Sequence, residues 1–208
     1  MALAFPVPLD DFFRTALIRG GTFDLDEAAD ILTLGGGEVL TSQLGTRLWR
    51  GTAEFTALTH VEHEQAMSRI RVLQRPGASF LVSCLHGELP GGGSGLLNGV
   101  QNGREVRLSG LTPGLAIRRG SFLSWQYGTN PVRYAFHQLA ESLTADGTGL
   151  TGWAEVAPNI RPGYSIGTTV QVGVPRLKAV MVPGSLRPGR ARNTVAEGLA
   201  FDWQQTLR

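Results

Sequence analysis

Two residue types are nearly missing from this chain of 208 residues. Cys84 is the only cysteine, which excludes an intrachain disulfide and any zinc site built on cysteines. Lys178 is the only lysine among 19 basic residues, so the cationic chemistry is that of arginine, a planar fork suited to carboxylates at interfaces. No window approaches the roughly 20 apolar residues of a membrane helix, and no membrane partner is expected. The opening MALAFPVPLDDFF has neither a basic flank nor a long apolar core, so it is not expected to act as a secretory signal. A formal net charge of +2 falls short of the basic excess that holds nucleic acid by counterion release.

What the chain has in quantity is glycine, 28 residues scattered between short apolar runs. Such punctuation implies many turns and a mainly β fold with a minor α component. The stretch EVLTSQLGTRLWRGTAEFTAL reads as two strands with a turn near Gly45 or a break near Arg50 and Gly51. One helix is expected in THVEHEQAMSRIRVLQRPG. Thr59 and Glu62 have the spacing of a reciprocal capping box, His63, Ala66, Met67, Ile70 and Leu73 share a face, and Pro76–Gly77 stops it. Beyond SFLVSCLHGELPGGGSGLLNG the chain becomes a series of about five short strands, which suits a small barrel. The tail is a basic loop leading to a strand near Val195–Gln205, with Leu199, Phe201 and Trp203 on one face. The expected organisation is a sheet-and-helix domain over 1–85, a β-barrel inserted at 86–176, and a segment 177–208 that returns to the first domain.

Candidate chemistry is sparse. Cys84 and His86 share a strand face, but a thiolate nucleophile also needs a base at bonding geometry and a third residue to orient it, so a buried structural cysteine is expected. His60 and His63 lack the i, i+4 spacing of zinc proteases and belong to a solvated helix end. His137 is expected to be hydrogen-bonded at a barrel edge. The glycine runs LGGGEVL and LPGGGSGLLNG have no phosphate-loop Lys or Ser/Thr and read as loops. No pattern calls for a metal or a cofactor. Asp10, Asp11, Asp24, Asp26, Glu27 and Asp30 make the N-terminal third acidic, whereas Arg176, Lys178, Arg187, Arg190 and Arg192 form a basic span without an acid. Opposite charge on two surfaces of one subunit is suited to a head-to-tail contact between copies, with Asp24 and Asp26 against Arg187, Arg190 and Arg192 as candidate interface residues.

Two motifs carry a resemblance. LWRGTAEFTALTHVEHEQAMSRIRVLQRPGASFLVS is a tryptophan strand, a capped helix, a PG turn and a strand. PGLAIRRGSFLSW, followed by VRYAFHQLAESLTADGTGLTGWAEVAPNIRP, is a turn-and-strand series. Together they resemble the distal tail proteins of long-tailed phages and related gene transfer agents, with Ser121 standing where that pattern has an acid. The resemblance implies a β-sandwich-like domain that forms a ring, a small barrel attached to it, and no catalytic residues. It further implies a hexameric ring joining the tail-tube protein to the tip hub, located in the virion after synthesis in a host cytoplasm, with DNA met only by passage through the channel. Tail-tip minor and hub proteins share such barrels.

Within this reading Arg118 and Arg119 sit at the barrel rim, where a guanidinium can face a neighbouring subunit. Two rivals stand beside it. One is a glycan-binding module in which aromatics among Trp125, Tyr127, Tyr134, Trp153 and Tyr164, chiefly Tyr127 and Tyr164, stack on sugar rings. The other is a cell-wall-degrading enzyme built on Cys84 and His86.

Overall fold

The glycine-punctuated runs become short strands. The computed structural model describes residues 4–13, 18–33, 35–43, 45–84, 89 and 91–208, the side chains of Arg19 and Gln43 excepted. The chain opens with β1 (Ile18–Gly20), β2 (Phe23–Leu25), β3 (Ala29–Thr33) and β4 (Val39–Gln43). Then come β5 (Trp49–Phe55), the helix α1 (His60–Leu73) and β6 (Phe80–Val82). A run of short strands follows: β7 (Ser94–Gln101), β8 (Glu105–Ser109), β9 (Ala116–Ile117), β10 (Phe122–Tyr127), β11 (Arg133–Leu139), β12 (Leu143–Thr144), β13 (Ala154–Ala157) and β14 (Thr169–Gln171). β15 (Leu177–Met181), β16 (Arg187–Ala191) and β17 (Ala196–Gln205) complete the series. The fold is mainly β with one helix among the described residues.

One antiparallel sheet has the order β1-β5-β17-β15-β6, with β2 beside β5 and β16 beside β17. The ten-residue β17 is its axis. Its first half pairs with β16, its last residues pair with β15, and its opposite edge runs along β5 from Ala200↔Glu54 to Gln204↔Arg50. Alternation along both central strands turns Leu199, Phe201 and Trp203 of β17, and Trp49, Ala53 and Phe55 of β5, into the core. No break occurs at Arg50–Gly51, where β5 runs on without interruption. Most of the basic span, Arg187–Ala191, is a strand, not the expected loop; Pro188, which has no N–H to donate, is tolerated because among the described strands β16 pairs with β17 alone.

The helix forms as its residues dictate. Thr59 accepts from the Glu62 amide at 3.3 Å while Glu62 accepts from the Thr59 amide at 2.8 Å, closing the capping box. The Thr59 amide, and then the Thr59 hydroxyl donating to the same carboxylate at 2.8 Å, hold the Glu62 carboxyl below the usual carboxylate range. Met67, Ile70 and Leu73 are buried, and His63 Nε2 lies 2.8 Å from the Pro188 carbonyl of β16.

The second body is a closed six-stranded barrel, β10-β11-β13-β8-β7-β14, which has one strand more than the five expected. The additional strand is β7, hidden in sequence among glycines that read as a loop. Those glycines are there because side chains press on the strand: a Cβ on Gly95 would lie 2.7 Å from Leu111, and one on Gly99 2.8 Å from the Trp153 ring. Leu97, Val106, Leu108, Leu123, Trp125, Leu139 and Val170 fill the interior.

Barrel and sheet meet on aromatic rings. Phe122 of β10 and Phe136 of β11 turn away from the barrel interior and stack at 5.0 Å between centroids. Phe23 lies within 5.1–5.6 Å of Trp49, Phe122, Phe136 and Trp203. The Trp49 indole N–H donates to the Phe136 carbonyl at 3.0 Å, and the Gln205 amide accepts from Trp49 N and donates to the Tyr134 carbonyl. Truncating a ring here leaves a cavity that neither rigid body can collapse around. Phe136→Ala is expected to lower stability by about 3–5 kcal/mol, read as the denaturant midpoint, whereas Thr59→Ala should cost about 1 kcal/mol.

Candidate functional site

The paired arginines sit on a turn. Gly120, at a φ of +87°, allows Ser121 N to donate back to the Arg118 carbonyl, and Gly120 N donates to Leu139 O at 2.8 Å. Arg119 N donates to Ser142 Oγ, and the ribbon of β9 with β12 lays Ile117 and Leu143 across the barrel core. The turn is thereby fixed at three points while both guanidinium side chains remain exposed. Such a fork can receive a carboxylate bidentately.

The other candidate interface charges are partly engaged within the chain. Asp26 lies 3.6 Å from Arg50, and Arg187 binds Asp202 at 2.8 Å. Arg192 lies 3.9 Å from Glu197, and Arg190 is in register opposite the same glutamate. The basic span of β16 therefore faces the acids of β17, which come later in sequence. Asp24 is exposed, its carboxylate accepting from Leu25 N. These surface pairs contribute about 0–1 kcal/mol each, and they reduce the charge that β16 can offer to a neighbour.

An exposed apolar feature lies elsewhere. β3 and β4 form a two-stranded hairpin that pairs with no other strand among the described residues, in the register Ile31↔Thr41, Leu32↔Leu40 and Thr33↔Val39. Every described side chain of this hairpin is exposed, with Ile31 at 62 % and Leu32 at 60 %. Val39 and Leu40 are exposed beside them. Consecutive residues of a strand point to opposite faces, so the hairpin shows apolar side chains on both. From Gly20 to Thr46 the sequence has no Lys or Arg but five acids, Asp24, Asp26, Glu27, Asp30 and Glu38. The arm is thus acidic and apolar at once. Sequence reasoning missed it, although the adjacent pairs Ile31–Leu32 and Val39–Leu40 in a cation-free segment were a signal.

The remaining candidates are placed as follows. Tyr127 is buried in the barrel core, so its ring offers no open stacking platform, and Tyr164 packs half-buried against that core. Trp125 is buried too, whereas Trp153 is exposed and lies over Gly99. Cys84 is buried among the sheet's core residues; His86 lies outside the described residues. His60 Nε2 lies 3.5 Å from the Asn193 carbonyl, which together with His63 ties the helix start to the β16–β17 hairpin. No three His, Cys, Asp or Glu side chains converge on a metal-binding geometry among the described residues.

His137 is hydrogen-bonded as expected, but inside a closed barrel wall and not at an edge. Its ring stacks on Trp125 at 4.7 Å, and Nδ1 lies 2.8 Å from the Pro158 carbonyl, so an N–H there donates to it. Burial pushes its pKa down to about 4; the Pro158 bond works in the opposite direction, and Arg161 adds to the lowering. None of the protein-family models matches this chain, and no curated protein matches it.

The titration of His137 has a readable consequence. The unfolded chain takes up its proton near pH 6.5 and the folded chain only near pH 4, so stability is lost as pH falls through this window. The expected loss is about 3 kcal/mol by denaturant titration, and His137→Gln should remove that component of the pH profile.

Proposed function

We propose that this protein is a non-enzymatic structural subunit that assembles with copies of itself, in the tail tip of a long-tailed phage or a related particle. Its role there is that of a distal tail protein: a ring that joins the tail-tube protein to the tip hub and leaves a channel for DNA. The observation that carries the assembly reading is the β3–β4 arm. An isolated two-stranded hairpin is marginal in water, and one with Ile31, Leu32, Val39 and Leu40 in solvent loses free energy that a neighbouring surface would recover. The resemblance of the helix-bearing segment and of the 113–162 series to distal tail proteins supplies the particle.

A glycan-binding barrel is the weaker reading, because Tyr127 is enclosed by the barrel and Tyr164 packs against it. In a subunit of the proposed kind the barrel is a rigid spacer and the arm is the connector.

Light scattering on the purified chain, alone and with a tail-tube protein, tests this. A defined oligomer, present alone or appearing on mixing, is expected, and Ile31→Ser with Leu40→Ser should reduce it to monomer while leaving the circular dichroism spectrum unchanged. A chain that stays monomeric and ignores the tube protein would overturn the reading.

A further inference from the structure

The arm needs a receiving surface, and the same chain offers one of complementary character. Between the end of β13, the turn that follows it and the segment entering β5 lies an open groove of about 460 Å³. Arg47, Arg104 and Arg161 line it together with Pro158 and Pro162, against one carboxylate, Glu155. Arg47 is held in place by donating to the Asp26 carbonyl at 3.0 Å. The groove is therefore basic with apolar patches, as the arm is acidic with apolar patches.

We infer that the β3–β4 arm of one copy seats in the Arg47–Arg104–Arg161 groove of the next. The inference rests on the assembly reading above and assigns its contact. Asp30 of β3 and Glu38, which directly precedes β4, meet the guanidinium groups, and Leu32 and Leu40, on the same face as Asp30, cover the apolar lining. Each copy presents one arm and one groove, so the contact is head-to-tail and propagates. It closes into a ring if the rotation between copies closes, and into a filament if it does not. Arginine suits the receiving side because its fork binds carboxylates bidentately and is weakly hydrated. Charge of this kind also fixes register and suppresses wrong contacts between like surfaces.

Two charge-reversed proteins test it, each made in the full chain. One carries Asp30→Arg with Glu38→Arg, so that its arm and its groove are both positive. The other carries Arg104→Glu with Arg161→Glu, so that both are negative. Each alone should associate at least about tenfold more weakly than the parent by light scattering over a concentration series. An equal mixture should recover association to within about threefold of the parent, because every arm then finds a groove of opposite charge.

Recovery on mixing requires both proteins to be folded. Self-association of either variant at the parent's strength overturns the inference, as does a mixture no stronger than its parts. If the mixture fails while Ile31→Ser with Leu40→Ser still dissociates the parent, the groove assignment falls and the arm-mediated assembly stands. If the parent is monomeric at every concentration and with the tube protein, both fall.

Discussion

A wedge of five aromatic rings holds this molecule in one shape. Phe23, Trp49 and Trp203 come from the sheet, Phe122 and Phe136 from the outer face of the barrel, and Phe23 touches all four others. Offset and tilted rings at these distances gain about 0.5–1.5 kcal/mol per pair beyond their burial. The geometry also removes freedom: a six-stranded barrel and a seven-stranded sheet, each with its own core, cannot swivel while Trp49 Nε1 stays bonded to the Phe136 carbonyl. The rim turn at Arg118–Arg119, the basic groove and the projecting arm all take their relative positions from that joint.

The parts legible in the sequence were those whose chemistry is local. The helix declared itself through Thr59, Glu62 and Pro76–Gly77, all within a few residues of where they act. β17 was legible because Leu199, Phe201 and Trp203 keep strict alternation on a strand buried on one face. β7 was not, because Gly95 and Gly99 are dictated by Leu111 and Trp153, side chains distant in sequence. The β16 strand was obscured for a related reason: the acids that face its arginines, Glu197 and Asp202, lie beyond the turn.

The site was harder to read than the fold. The same alternation that places Leu123 and Trp125 inside the barrel also places Tyr127 there, and applying it one step further would have withdrawn that ring as a ligand platform. The arm leaves no core signature in its own chain because it buries nothing there. Periodicity registers the surface that a segment covers within its own fold, and β3 and β4 cover none among the described residues.

The central place of β17 has a consequence for how the protein is made. Barrel strands β7 to β14 pair among themselves within residues 94–171, so the barrel can close as soon as that stretch has left the ribosome. The sheet cannot: β5, made more than a hundred residues earlier, gains its central neighbour only when residues 196–205 emerge. Until then β5 lacks the strand that carries Leu199, Phe201 and Trp203, the last two of which pack on Phe55 and on Phe23, a long-range closure of the kind that slows folding and invites aggregation. The finished barrel, displaying Phe122 and Phe136, is a surface on which Trp49 and Phe23 can pack before β17 arrives, so vectorial synthesis lets the barrel support the sheet that precedes it in sequence.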